Sequence, residues 1–579
     1  MTSHTNATSG GTGRSIVKIL GGGREVGRSC VFLRVQDKSI LLDCGLHPGK
    51  RNLARLPQLD FLRENPPDAV VITHYHIDHI GGLPYLSTAT GFDGPVYMTK
   101  PTKDLGLLVI SDFLRLNGSE VPFSEEDMTR CLNAATIVET ERTIQVSAGL
   151  DLRFLYAGHA LGAVMVQVIA HGYVVLYTGD ITTFPERLID TLCVSGAAPQ
   201  PDLLIMESTY AGSIREYSRR TNERLLLKEV SNTLEAGGKV LIPAFAVGRT
   251  LEIVAILISY SRRCNLSFPI HVSSPLARAA MKAMLEQDSS WFADGVREHV
   301  LHDLVELQER IPLSQRSRVD DNEYQMVLIA APAMLNAGFS REVFQKWRSD
   351  ERNLVALPGF GYSDGSKGTE SGYRCQIRNY SLSAHADAMG LFQLVRKLRP
   401  KKVVLVHGED RPIESLEKLL KSDLGIGVKS PRTGEKVSLS RFENHVRCPH
   451  SLWELNHNRK ESSELAERAL LAFQKGNGCL RRQGEFWRCE TKFRSWEFAR
   501  KAIISGLLRI KKSGHMFGIN ESAITEAVAK FEEDSSRSGS IRSVIFKGVG
   551  DGRRVVFLCS QTDVSLARSL INEIVSVDR

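Results

Sequence analysis

The chain has 579 residues, 42% apolar and 24% charged, with a formal net charge of +8, the balance of a soluble globular protein with about three or four domain-sized units. No stretch approaches the roughly 18 uninterrupted apolar residues of a membrane span. The start, MTSHTNATSGGTGRS, has no apolar signal-peptide core, so residues 1–13 are expected to be a disordered tail on a cytosolic or nuclear protein, and ten cysteines without a Cys-x-x-Cys pair fit free thiols in a reducing compartment.

From Ser15 short apolar runs alternate with glycine-rich turns: SIVKIL, GGGREVG, SCVFLRV and SILLDCG, the grammar of strands and hairpins. Gly21, Gly23 and Gly27 miss the dinucleotide-binding spacing by one residue and lead into a strand, which excludes that motif. Asp68-Ala-Val-Val-Ile-Thr73 predicts a short buried strand, and PVYMT, LRFLYA, VMVQVIA and YVVLYTGD predict more, with a helix near Lys103 to Leu116. Beyond Asp180 strands and helices alternate: LLIMEST, a charged helix through Arg215 to Leu234, KVLIPAF, a helix from Arg249 to Ser259, PIHVSS, MVLIAAP, a helix near Ser340 to Trp347, NLVALPG and KKVVLVHGE. That rhythm predicts βα units on a mostly parallel sheet, hence an α/β fold. Past about residue 440 the pattern predicts long basic helical stretches, then a hairpin and helix at RSVIFKG, RRVVFLCS and SLARSLINEIV.

The densest chemistry lies at His74-Tyr75-His76-Ile77-Asp78-His79, three imidazoles and a carboxylate just past a strand. Imidazole and carboxylate are ligands that Zn²⁺ favours. An extended or tightly turned segment lets His74 and His76 face one metal while Asp78 and His79 swing to a second. Two metals need further ligands, and His159, Asp180 and His407 each follow an apolar run, where an α/β scaffold presents reactive groups.

These residues carry a family resemblance. HYHIDH, Tyr156-Ala-Gly-His159, Tyr177-Thr-Gly-Asp180 and Val406-His407-Gly-Glu409 resemble the metallo-β-lactamase superfamily. Glu207-Ser-Thr-Tyr210, Ser383-Ala-His385-Ala-Asp387 and VHGE resemble its β-CASP branch, which processes nucleic acids. The 226 residues between Asp180 and His407 suit the inserted β-CASP domain. The resemblance implies an αββα sandwich over residues 14–205 and 385–440, a β-CASP domain over 206–384 and a small α+β partner-binding region over 441–579. It further implies one zinc on His74, His76 and His159, a second on Asp78, His79 and His407, and Asp180 bridging them. Asp43 would orient ligands, His385 would be the general acid of phosphodiester hydrolysis, and Glu207 would orient it. A histidine at position 407 resembles the RNA-cleaving members, and the segments Gly27–Cys30, Leu42–Pro48 and Ala331–Leu335 are similar to the nuclear 3′-end-processing endonucleases. Gly91–Thr99 and Ser383–Gly390 resemble the Integrator type, which acts on snRNA-type transcripts, more than the polyadenylation type. Such enzymes resemble subunits of larger complexes that pair with a β-CASP-like paralogue through their C-terminal regions, some of which keep the fold as non-catalytic scaffolds.

The chain departs from the family pattern at Phe360–Ser366, where a shortened segment runs to His385, at Ile80 in place of a cysteine, and at Leu188 in place of a histidine. Between Arg459 and Lys512 fourteen Lys or Arg face six Glu, an excess equal to the whole net charge. That stretch suits RNA or an acidic partner, and equally a solvated helical face. Arg249 at a helix start suits a phosphate, and equally a helix-capping or surface arginine. His445, Cys448, His450 and His457 match no strong zinc template.

Overall fold

A computed structural model of the chain describes residues 15–194, 200–266, 268–293, 319–320, 324–359 and 373–439, and four C-terminal strands. The chain divides into two compact units, Met1–Val446 and Arg447–Arg579.

The first unit opens with β1 (Ile16–Gly21), β2 (Cys30–Val35), β3 (Lys38–Leu42), β4 (Ala69–Val71), β5 (Val96–Thr99) and β6 (Thr136–Val138), followed by β7 (Thr143–Ser147), β8 (Leu150–Tyr156), β9 (Val164–Ala170), β10 (Tyr173–Tyr177) and β11 (Leu203–Glu207). After β11 come β12 (Val240–Pro243), β13 (Ile270–Ser273), β14 (Val327–Ala330), β15 (Leu354–Leu357) and β16 (Gln376–Asn379). The unit closes with β17 (Lys402–Val406), β18 (Gly427–Lys429) and β19 (Lys436–Ser438). Two seven-stranded sheets result, in the orders β19-β1-β2-β3-β4-β5-β6 and β18-β17-β11-β10-β9-β8-β7.

The period of two along each strand decides what lies on each face. Val31, Leu33 and Val35 of β2 pack between the sheets with Leu152, Phe154 and Val166 of the second sheet. Their neighbours Cys30 and Phe32 turn outward onto Leu62, Leu83, Leu86 and Ile110 of the covering helices. The result is a sandwich of two sheets with helices outside. Ile80, in the position usually held by cysteine, is one of the outer-core residues, and Leu188 is buried with its N–H donated to Glu252 Oε2 at 3.1 Å.

The insertion is a five-stranded parallel sheet, β13-β14-β12-β15-β16, with helix Arg219–Glu235 before its first strand and helices Arg249–Arg263, Pro275–Leu285 and Gly338–Trp347 between its strands. It leaves the second sheet after β11 and returns at β17, and those two strands pair side by side with Glu207 opposite Val406. An excursion of almost 200 residues therefore leaves the sheet unbroken and sets Glu207 one residue from the register of His407.

Two expectations need correction. The helix predicted from Arg215 begins at Arg219, because Ser218 caps it by accepting from the Thr221 N–H, and residues 212–218 form a loop. Within the stretch expected to be basic helix lie two antiparallel paired strands, β20 (Cys479–Gln483) and β21 (Phe486–Glu490). The terminal hairpin is present as β22 (Ser543–Val549) and β23 (Arg554–Cys559), and the four strands form one antiparallel sheet. The helix expected after it, the tail at 1–13, the segment Phe360–Ser366 and the His445 to His457 group lie outside the described residues. Among the described residues no helix is long and apolar enough to cross a membrane.

Candidate metal centre

The residues of the expected site stand on the loops and turns that follow strands. His74 to His76 follow β4 in extended backbone, and a one-turn helix, Ile77–Ile80, then carries Asp78 and His79. That change of backbone within six residues turns the two halves of HYHIDH toward different neighbours. His159 follows β8, Asp180 follows β10 and His407 follows β17. Asp43, His159 and His407 all hold left-handed backbone, with φ of 61°, 58° and 52°, a conformation that non-glycine residues adopt at a cost and that clusters at functional sites. Gly45 permits the closest approach: a Cβ there would lie 1.7 Å from the Asp78 carbonyl oxygen.

The side chains converge in two groups. His76 Nδ1 lies 3.0 Å from His74 Nε2 and 3.1 Å from His159 Nε2, and Asp180 Oδ2 lies 3.8 Å and 3.7 Å from the latter two nitrogens. In the second group His407 Nε2 is 3.3 Å and His79 Nε2 is 4.0 Å from Asp78 Oδ2. Asp180 reaches both groups, with Oδ2 3.3 Å from His79 Nε2 and Oδ1 2.7 Å from His407 Nδ1. Each group places its ligand atoms close enough to share one ion. Donors on a tetrahedral ion with bonds of about 2.0–2.1 Å stand roughly 3.3 Å apart, close to these separations.

The donor chemistry fits a divalent metal. Burial pushes His74 and His159 well below the usual imidazole range and His76 down to about 4, so all three are neutral, with lone pairs available. Burial also opposes charge on His79 and His407. Asp180, Asp43 and Asp78 outweigh it at His79, and Asp180 outweighs it at His407, which is pushed up to about 10. Asp180 is held well below the carboxylate range by His407 and His79 against the effect of burial. His407 Nε2 is buried with no hydrogen-bond partner, as expected of a nitrogen that faces an ion.

Behind the ligands Asp43 is fully buried and takes four hydrogen bonds. Thr73 N–H reaches Oδ1 at 2.7 Å, while Thr73 Oγ1, Tyr177 OH and His79 Nδ1 reach Oδ2 at 2.9, 2.8 and 2.8 Å. That fixes the His79 tautomer and leaves Nε2 for a metal. Thr73 and Tyr177 carried no signal of this role beyond adjacency to ligands in the chain.

Beside the ligands, His385 Nδ1 lies 3.0 Å from Glu207 Oε2. Glu207 is itself fixed by the Ile181 N–H at Oε1 (2.7 Å) and by Thr209 Oγ1 at Oε2 (2.6 Å). His385 Nδ1, Glu207 and Asp180 are also close enough to hold an ion, but Nδ1 is committed to Glu207, and the His385 pKa is raised, with Glu207 and Asp180 overcoming burial. Arg249, considered above as a phosphate ligand, instead pairs with Glu186 at 2.9 Å.

Comparison with known proteins agrees with this geometry. The Metallo-beta-lactamase superfamily model matches residues 23–228, the Beta-Casp domain model residues 250–367, and the Zn-dependent metallo-hydrolase RNA specificity domain model residues 373–431. The chain is 36% identical over 443 residues to Integrator complex subunit 11 of Danio rerio, covering 72% of this chain and 73% of that protein. It is also 36% identical over 447 residues to cleavage and polyadenylation specificity factor subunit 3-II of Arabidopsis thaliana, covering 73% and 72%, and 34% identical over 461 residues to the Integrator complex subunit 11 homolog of Dictyostelium discoideum, covering 73% and 61%. A sandwich that carries ligand-type residues near strand ends, interrupted between β11 and β17, thus has relatives along most of its length, and the chain belongs to the β-CASP branch of the metallo-β-lactamase superfamily as a metal-dependent RNA hydrolase.

Proposed function

We propose that the protein is a two-zinc endonuclease that hydrolyses RNA phosphodiester bonds in 3′-end processing of nascent transcripts in the nucleus, of the Integrator type and acting on snRNA-type RNA. The observation that carries the reading is the meeting of seven ligand-type side chains with the Glu207–His385 pair in one place. His74, His76 and His159 would hold one ion, Asp78, His79 and His407 the other, and Asp180 both. Two divalent ions there would supply Lewis-acid polarisation of the phosphoryl group and an acidified water as nucleophile. His385 donates a proton from Nε2 to the departing oxygen while Glu207 holds Nδ1 and favours the charged imidazole. Asp43 keeps His79 oriented, and the β-CASP insertion supplies the wall across which a polymer lies. A β-CASP-like paralogue is the proposed partner of the C-terminal unit, within a larger processing complex. The match to a polyadenylation factor subunit supports a second reading of the same chemistry, pre-mRNA 3′-end cleavage.

Asp180→Ala is expected to abolish cleavage of a model transcript by a folded protein and to reduce bound zinc, measured by elemental analysis. His385→Ala is expected to slow cleavage by roughly 10²–10⁴-fold with zinc content intact. A zinc-free His385→Ala protein would remove the acid assignment, and cleavage by folded Asp180→Ala at the parental rate would remove the endonuclease reading.

A further inference from the structure

His385 sits on a loop, residues 380–387, whose side-chain clamp is Glu207. The backbone of the same loop has its own clamp. The Arg215 guanidinium donates from Nη2 to the carbonyl oxygen of His385 at 2.5 Å and to that of Ser383 at 3.2 Å. The Arg215 backbone N–H donates to Asp387 Oδ2 at 2.9 Å, and Asp387 Oδ1 in turn accepts from the Gly390 N–H to cap helix Ala388–Leu398. The guanidinium stacks on the Phe184 ring, 4.0 Å from its centroid, and its Nε is buried without a partner. Burial lowers its pKa to about 10, still far above neutrality. One side chain thus fixes two carbonyls, one of them the acid's own, through the single nitrogen Nη2, and the stacking of the planar guanidinium on Phe184 holds that nitrogen in one pose.

We infer that Arg215 is a positioning residue for proton donation: by pinning the Ser383 and His385 carbonyls it sets where His385 Nε2 meets the leaving oxygen. The inference rests on the reading of His385 as the general acid. Among the described residues Arg215 bonds to Ser383, His385 and Asp387 and to none of the residues proposed to hold the ions, so its removal acts on the acid and not on the ions. A displacement of about 1 Å at a reacting group costs on the order of 10²-fold in rate. Lysine keeps the charge but is shorter and has no planar group to stack on Phe184, so its ammonium is not held between the two carbonyls and the loop is able to shift.

The test uses the full-length chain, with zinc bound, and two RNAs that differ at the scissile bond. One is ordinary, and the other carries sulfur in place of the leaving oxygen, so that departure needs no proton. Arg215→Lys is expected to lower kcat on ordinary RNA by roughly 10- to 100-fold, with KM within about threefold and with zinc content and Tm unchanged. On the sulfur-substituted RNA its deficit is expected to shrink to within about threefold, as is that of His385→Ala. Arg215→Ala serves as a second variant, with guanidinium added at low millimolar concentration expected to restore part of its rate on ordinary RNA. An equal deficit on both RNAs, or parental kcat in Arg215→Lys, would overturn the inference. An equal deficit of His385→Ala on both RNAs would instead overturn the acid assignment, which separates the two failures.

Discussion

Asp43 shows how one buried carboxylate orients ligand-type side chains from behind. Its four hydrogen bonds tie β3, the start of the HYHIDH loop and the end of β10 to a single carboxylate. Asp43→Asn replaces one acceptor oxygen by an amide that donates, which opposes the donors arriving from His79, Thr73 and Tyr177 and frees the His79 tautomer. The expected outcome is a roughly 10- to 100-fold loss of zinc affinity, read by competition with a chromophoric chelator, in a protein that still folds. Unchanged affinity would show that His79 needs no such partner. That these side chains converge was legible in the sequence, because HYHIDH packs four ligand-type residues into six positions and Asp180 and His407 each end an apolar run. Tyr177 and Arg215 were not. The Tyr177 hydroxyl meets a partner 134 residues away and Arg215 meets carbonyls 168 and 170 residues away, and no local pattern encodes a bond to a distant backbone oxygen.

At the scale of elements, the strands with long apolar runs were read correctly, since burial on one or both faces demands Val, Ile and Leu at regular spacing. The short polar ones were not. β16 (QIRN) and β19 (KVS) carry mostly exposed or half-buried residues and are held by their neighbours' backbones, so composition gives no period to detect. The β20–β21 hairpin was mistaken for helix because Arg and Lys weigh toward helix, although Gln483-Gly-Glu-Phe486 carried a turn signal. A packing consequence follows where β3 runs on toward the one-turn helix of the site. The Ser29 N–H donates to the Asp78 carbonyl, and the Cys44 and Leu46 N–H groups donate to the carbonyls of His79 and Ile77, at 2.8 to 2.9 Å. Gly45 is the point of closest approach, where a Cβ would also lie 2.1 Å from the Asp78 carbonyl carbon. Gly45→Ala must push that turn away. It is expected to lower stability by about 1–3 kcal/mol and to empty the Asp78–His79–His407 group before the other, so that zinc per chain falls from two toward one. Retention of two zinc ions with parental stability would show that the strand and the turn have room to separate.

For the whole molecule, the division at Val446 and Arg447 implies that the catalytic unit closes on itself before the C-terminal sheet begins. The closing piece is small. β19 pairs with β1 through Ile16–Ser438, Val17–Val437 and Lys18–Lys436, the Gly434 N–H donates to the Ile19 carbonyl at 2.7 Å, and the Ile19 N–H donates to that of Glu435 at 3.0 Å. Thr433 Oγ1 accepts from the Gly23 N–H at 3.1 Å, while the carbonyl of the adjacent Gly22 accepts the His407 N–H at 2.7 Å. Residues 433–438 therefore brace the glycine loop that holds the backbone of His407. Removing them takes away several hydrogen bonds worth about 1 kcal/mol each from a total stability of about 5–15 kcal/mol, and it exposes the edge of β1 to other chains. A chain ending at residue 446 is expected to keep the zinc stoichiometry of the full protein and a single thermal transition. A chain ending at residue 431 is expected to bind zinc more weakly, to melt several degrees lower and to associate, as elemental analysis, calorimetry and light scattering would show. Equal behaviour of the two truncations would mean that the β1 edge and the Gly22 loop are held by the rest of the sandwich alone.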